Sequence, residues 1–254
     1  MASDARSLSL APTLSPLLAA TDDASDIRGG LTRLSSLGFR HVQLSATQSG
    51  LRPRDLDRSA RRDLLATLRR HELDLSGLDC WIPASHFTDL SHQDRAIDAV
   101  RASIELAADL GRVPISLALP TEATDEPPST WRTDLISHAG RLGVSLADHA
   151  VPPSKRESAE IGIDPAALLS HSLDPATTVH QSARRLAAAR LSDLDQTGLR
   201  CPLGANSDGR LDVLAYRVAL TLAEFPRPVV MDARLWVDPW QGLTLSQARW
   251  KAMA

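Results

Sequence analysis

Apolar positions recur along the chain in one arrangement: a helical stripe, a stop, then a short apolar run. Ile27, Leu31, Leu34 and Leu37 precede Gly38 and the run Phe39-Arg40-His41-Val42-Gln43-Leu44. Ile97, Val100, Ile104, Ala107 and Ala108 precede Leu110-Gly111 and Val113-Pro114-Ile115-Ser116-Leu117. Trp131, Leu135, Ala139 and Leu142 precede Gly143 and Val144-Ser145-Leu146. Leu64, Leu65 and Leu68 lead through His71-Glu72, without a glycine, to Leu73-Asp74-Leu75. Spacing of three and four residues buries one face of a helix. Glycine just past the last turn takes the left-handed conformation that ends a helix at little steric cost.

The runs that follow are about five residues long and end in polar or Pro-containing loops, as short strands do. The unit repeats every 32 to 40 residues or so, the size of a strand plus a crossover helix. Alternating strands and helices make a parallel sheet covered by helices. The pattern predicts strands at residues 7–10, 41–45, 73–78, 114–119, 144–148, 160–164, 187–192 and 228–232. Further helices fall around residues 175–186, 211–225 and 243–253, with a polar loop at 193–209. The fold class expected is α/β: a single (β/α)8 TIM barrel spanning residues 1–254. Residues 150–159 are too few for a full helix, so the fifth helix is expected to be missing or shortened. The rival doubly wound sheet lacks its glycine-rich fingerprint after the first strand.

Composition narrows the partners. The 254 residues are 43% hydrophobic and 23% charged, enough apolar material for a sizeable core. The formal net charge of −3 argues against a nucleic-acid partner, which calls for a concentrated basic face. The pairs Arg61-Arg62 and Arg69-Arg70 flank an apolar helix face and read as solvated surface. No run of about 18 apolar residues is present, so no membrane span is expected. Residues 1–20 are interrupted by Pro12 and Pro16 and lack the apolar core of a signal peptide, so the expected location is the cytoplasm. Cys80 and Cys201 lie far apart and form no C-x-x-C motif; Cys80 reads as a small buried hydrophobe.

In such a barrel, chemistry sits at the C-terminal ends of the strands and in the loops after them. Those positions hold Gln43, Asp79, His86, Asp148, His149, Asp164, Arg190, Asp193 and Asp232. Asp148, Asp164 and Asp232 would share one mouth, and carboxylates so close require a cation, a shared proton or intervening water. Trp81 and Phe87 offer an apolar wall for a sugar ring, or a cover for the barrel end. His86 is a candidate substrate contact or general base, against the plainer reading of a loop histidine bonded to backbone. Asp193 and Asp212 read as caps. Trp236 and Trp240 suit either a pocket or an interface.

The order and spacing of several segments resemble the xylose-isomerase-like barrel superfamily of sugar phosphate isomerases and epimerases, which includes endonuclease IV. The resemblance covers nearly the whole chain. Gly38-Phe39-Arg40-His41-Val42-Gln43-Leu44 is similar to the family's G-F-x-x-V-E-L at strand two. Residues 102–111 are similar to the helix entering strand four. Gly162-Ile163-Asp164 resembles strand six, where members carry Asp-x-x-His, and Arg190-Leu191-Ser192-Asp193 resembles His-x-Lys-Asp of strand seven. Leu203-Gly204 and Gly209-Arg210-Leu211-Asp212 are similar to the motif opening the next helix.

The resemblance implies a divalent metal held by Glu, Asp, His and Glu on strands five to eight. At those positions this chain has Asp148 (uncertain by one residue), Asp164, Arg190 and Asp232. The strand-six histidine is Ala167, and the strand-two glutamate is Gln43. Arginine stays protonated and offers only donors, so it cannot ligate a metal. The expectation is a degenerate metal site in which Arg190 takes over the ion's charge, pairing with Asp164 and Asp232 or with Asp148. The competing reading has Arg190 snorkelling to solvent. No cofactor is expected. A residual Mg²⁺, Mn²⁺ or Zn²⁺ site at Asp148, Asp164 and Asp232 is the alternative.

The resemblance implies an isomerase or epimerase acting on, or binding, a small sugar or polyol. Catalysis would fall to Asp148, Asp164, Arg190 and Asp232. Asp148 and Asp232 would move protons, and Arg190 would stabilise an enediolate. Gln43, Trp81, His86 and His149 would contact substrate. The alternative is a catalytically inactive barrel, a pseudoenzyme serving as a small-molecule-binding or protein-interaction module.

Overall fold

The computed structural model describes residues 8–21, 26–121, 127, 129–205 and 209–253. In chain order its strands are β1 (Leu10–Pro12), β2 (His41–Ser45), β3 (Asp74–Asp79), β4 (Ile115–Leu117), β5 (Leu146–Asp148), β6 (Ile161–Ile163) and β7 (Leu186–Leu191). A two-stranded antiparallel ribbon follows, β8 (Asp193–Leu194) and β9 (Arg200–Cys201), then β10 (Val229–Met231). The large sheet runs β1-β10-β7-β6-β5-β4-β3-β2, parallel throughout. A parallel bridge between Thr13 and Gln43 joins the two edge strands, so the eight strands form a (β/α)8 barrel.

The helices are α1 (Leu14–Ala19), α2 (Ile27–Ser36), α3 (Arg58–Arg70), α4 (Gln93–Asp109), α5 (Thr130–Leu142), α6 (Pro165–Ser170), α7 (Pro175–Ser182), α8 (Val213–Leu222) and α9 (Pro239–Lys251). No helix lies between β5 and β6; residues 149–160 run as turns and irregular chain. Aspartates 26, 57, 164, 174, 212 and 238 each accept a backbone N–H three residues on and cap a helix. Asp193 caps no helix; it accepts Leu194 N and Leu211 N, tying the ribbon to the start of α8.

Gly38, Gly111 and Gly143 have φ of +83°, +112° and +69°, the helix stops that the pattern predicts. Where the unit of Leu64, Leu65 and Leu68 lacks glycine, Glu72 takes the left-handed conformation instead, at φ +53°. The first strand lies further along than the sequence pattern places it, and Ser7 falls outside the described residues. Pro12 reads as a breaker, yet it ends β1 without loss of pairing, because Thr13 N makes the bond to Met231 O at 3.0 Å. Residues 206–208 of the polar loop likewise lie outside the described residues.

The core lies between barrel and helices: Leu31, Leu34, Val100, Ile104, Leu135 and Leu220 are buried on the helix side. Trp236 and Trp240 are buried too. Their indole N–H groups donate to Ser192 Oγ and Leu17 O, so they hold the last helix against the barrel. No helix among the described residues is long and apolar enough to cross a membrane.

Candidate functional site

Side chains alternate in a strand, so Ala188 and Arg190 of β7 face the barrel interior while Ala189 and Leu191 face the helices. In the ring, β7 and β3 stand opposite one another. The Arg190 side chain spans the barrel between them. Its Nη2 donates to Asp79 Oδ1 at 2.8 Å, and its Nη1 donates to Asp232 Oδ2 at 3.1 Å. Asp164 Oδ2 lies 3.7 Å from the same Nη1. At 2% exposure Arg190 does not snorkel; it is the largest fully buried side chain among the described residues.

Two further arginines close over these carboxylates. Arg200, on β9, donates from Nη1 to both oxygens of Asp164 at 3.1 Å and from Nη2 to Asp232 at 2.9 Å. Arg234, two residues beyond Asp232, donates from Nε to Asp232 Oδ1 at 2.8 Å and from Nη2 to Oδ2. Its guanidinium carbon lies 4.2 Å from the ring centre of Trp81, which is half exposed above it. Arg190, Arg200 and Arg234 thus meet Asp79, Asp164 and Asp232, and the formal charges cancel.

Burial and pairing pull the carboxyls in opposite directions. Burial pushes Asp79 above the usual carboxylate range, with Arg190 pulling the other way. Burial would raise Asp164 too, but Arg200 and Arg190 outweigh it and hold that carboxyl low. Asp232 has no exposure at all; burial pushes it up to about 6 against Arg200 and Arg190. Arg190 and Arg200 hold their protons more tightly than usual, because their carboxylate neighbours outweigh burial.

Below the cage, a polar chain crosses the interior. Gln43 Nε2 donates to Ser116 Oγ at 3.4 Å, and Ser116 Oγ meets His149 Nε2 at 3.1 Å. A Cβ at Gly162 would lie 2.4 Å from the His149 ring, so that glycine makes room for the imidazole. Burial, and then Arg190, push the His149 pKa well below its ordinary value, so the ring is neutral. Ser116 Oγ accepts from Gln43, and the direction of its bond with His149 Nε2 follows the histidine tautomer.

Asp148 does not join the cage. It faces the helix layer, where Oδ1 accepts Leu119 N and Ala150 N at 3.0 Å and Oδ2 lies 3.5 Å from Arg132 Nη1. Alternation makes the next residue, His149, the inward one, which corrects the strand-five assignment by one position. His86 stands in a short 3-10 turn, Ala84–Phe87, and stacks on His92 with ring centres 4.7 Å apart. Phe87 is buried against Trp131 of α5, not over the mouth. Asp164, Arg190 and Asp232 come together, with Gln43, Trp81 and His149 nearby; Asp148 and His86 point elsewhere.

Asp79, Arg200 and Arg234 are cage members that the strand-end reading does not single out. Asp79 sits at a strand end and shares that signal with many others. Arg200 belongs to a ribbon no periodicity marks, and Arg234 to a loop. The available clue is charge: three inward carboxylates exceed what one arginine neutralises.

The donor set here does not fit a divalent ion. Both oxygens of Asp164 and of Asp232 already accept guanidinium N–H groups, and Arg190 brings a positive charge to the position of a ligand. Among the described residues, no three His, Cys, Asp or Glu side chains are grouped to hold a metal.

No protein-family model matches the chain, and no curated protein matches it in sequence. Solved structures do match in fold. A xylose isomerase domain protein from Planctomyces limnophilus superposes with a TM-score of 0.70 at 13% identity, over 97% of this chain and 96% of that one. An L-ribulose 3-epimerase superposes at 0.66 with 16% identity, covering 96% of each chain. A sugar phosphate isomerase/epimerase from Parabacteroides distasonis superposes at 0.67 with 12% identity, over 98% of this chain and 95% of that one. The chain has the xylose-isomerase-like TIM barrel fold.

Proposed function

We infer that this protein is a sugar isomerase/epimerase-like barrel that binds a small sugar or polyol at its open end. In this reading the metal site is degenerate: an arginine–aspartate cage stands where a divalent ion would otherwise sit. The observation that carries the reading is Arg190, which lies buried across the barrel and bonded to Asp79 and Asp232. A fixed cation there supplies positive charge beside bound oxygen atoms, as an ion would, and it needs no reorganisation. Asp164 and Asp232 act as positioning residues that hold the guanidinium groups. Asp148 and His86 have no part in the site, and no nucleic acid is a partner.

One feature favours a second reading, binding without turnover. The oxygens of Asp164 and Asp232 are already held by guanidinium donors, so neither lies open to a bound ligand. Asp79 differs, because among the described residues its side-chain hydrogen bond falls on Oδ1 alone.

Thermal unfolding in the presence of sugars, polyols, sugar phosphates and divalent ions tests the binding claim. A ligand at 100 times its Kd stabilises the folded state by about 2.7 kcal/mol. A neutral sugar or polyol is expected to raise the Tm, and Mg²⁺, Mn²⁺ and Zn²⁺ to leave it unchanged. Stabilisation by an ion alone would reject the reading.

A further inference from the structure

Helix α8 is apolar on two opposite faces. Val213, Tyr216 and Leu220 are buried against the barrel, as in any covering helix. Leu214, Val218 and Leu222 repeat every four residues on the other side and are 54%, 46% and 77% exposed. The helix has a single charged side chain, Arg217, and it is turned aside. Its Nη1 donates to Trp250 O, and its guanidinium carbon lies 5.1 Å from the Trp250 ring centre. By contrast, α4 exposes Asp94, Arg95, Asp98, Arg101 and Glu105. A continuous apolar stripe on an outer face marks a surface that another surface covers.

The neighbours of the stripe say what covers it. In the wall of the barrel α8 follows β7, between α7 after β6 and α9 after β10. All three helices run against the strands, so their starts lie at one end of the wall and their ends at the other. Each start carries an exposed aspartate cap: Asp174, Asp212 and Asp238. At the other end, exposed Arg184 follows α7, Arg249 and Lys251 close α9, and Glu224 follows α8.

We propose that this wall is a homodimer surface, with α8 antiparallel to α8 of a second copy about a two-fold axis at Val218. A two-fold axis brings the same patch to both sides. With the axis across the helices, Val218 meets itself and Leu214 meets Leu222. α7 then lies over α7 and α9 over α9, start over end. Arg184 approaches Asp174 of the second copy, and Arg249 and Lys251 approach Asp238. Glu224 approaches Asp212, one like pair set against two attractive ones. With the axis along the helices, starts would meet starts. Asp174 would face Asp238, and Arg184 would face Arg249 and Lys251, like charge on like charge throughout.

A standard interface takes about 20–30 residues a side, so the three apolar side chains are its centre rather than its whole. Exposed Thr177, His180 and Gln181 of α7 and Leu245 of α9 extend it. A patch with so small an apolar centre makes a reversible dimer. The mouth lies at the strand ends and not on this wall, so pairing leaves the arginine–aspartate cage and its opening uncovered.

Sedimentation of the whole protein over a range of concentrations tests the pairing. At about 100 µM, above the Kd of a reversible protein dimer, the wild type is expected to reach twice the chain mass of 27.4 kDa. Val218→Asp puts two carboxylates on the axis and is expected to weaken the dimer at least about a hundredfold, with the circular dichroism of the fold unchanged. Cysteine cross-linking reads the direction independently of that variant, because Cys80 and Cys201 are both buried. Under oxidation Val218→Cys is expected to cross-link to itself, and Leu214→Cys to Leu222→Cys when the two are mixed. Leu214→Cys alone is expected to stay uncross-linked. Its two copies would lie about 12 Å apart along the helix, beyond the roughly 7 Å between Cα atoms that a disulfide spans. A wild type that stays monomeric, or a dimer that Val218→Asp leaves intact, would overturn the surface. Leu214→Cys cross-linking to itself as readily as to Leu222→Cys would overturn the antiparallel axis.

Discussion

Replacing Arg190 with methionine is expected to cost about 3–5 kcal/mol of folding stability at neutral pH, the cost of breaking a buried ion pair by removing one partner. For a chain of this size, that corresponds to a fall in Tm of about 2–4 °C for each kcal/mol. Methionine fills much of the same space, so the loss is electrostatic. Asp79 and Asp232 remain buried with one cation fewer. Burial already raises both carboxyls, Asp232 to about 6, and losing Arg190 raises them further. A carboxyl whose folded pKa is raised contributes stability that is fully present below its unfolded pKa and lost as pH rises through the folded one. The deficit of Arg190→Met against the wild type is therefore small near pH 4 or so and widens to above about pH 6. Urea unfolding across that range measures it. A loss under about 1 kcal/mol at neutral pH, or a deficit that ignores pH, would show that the cage does not hold these charges.

Arg132→Met is expected to cost about 3 kcal/mol for a related reason at a separate place. Arg132 and Asp148 have side chains only 6% exposed each, and Arg132 Nη2 also donates to Pro120 O. The pair joins α5 to the end of β5 and to the segment after β4, beside the interval where the barrel lacks a helix. Removing the guanidinium leaves Asp148 with its two backbone donors but without this cation. Because the pair lies outside the mouth, the same variant is expected to keep the full ligand-induced rise in Tm. A stable Arg132→Met protein that had lost ligand binding would return Asp148 to the site.

The barrel is legible in the sequence because its units repeat. Each helix stripe, its left-handed stop and the strand after it are local, and Gly38, Gly111 and Gly143 mark three of the stops. The missing fifth helix is legible as a short interval. The first strand is displaced because Pro12 tolerates a strand's last position, which composition does not convey. Within the site, Asp164, Arg190 and Asp232 are legible from strand ends and from the family pattern. Asp148 is misread because alternation turns on a single residue, and β5 is only three residues long. Arg200 and Arg234 reach the cage through loops whose course depends on long-range contacts, such as Trp236 with Ser192 and Arg210 N with Leu194 O. No local pattern encodes those contacts.

The central claim is that guanidinium groups occupy the electrostatic role of a metal. Elemental analysis of protein purified without chelators and dialysed against Mn²⁺, then against metal-free buffer, tests it most directly. The account predicts far less than one Mg, Mn or Zn per chain, and the same content in Asp164→Ala. One stoichiometric ion per chain, lost in Asp164→Ala, would contradict it.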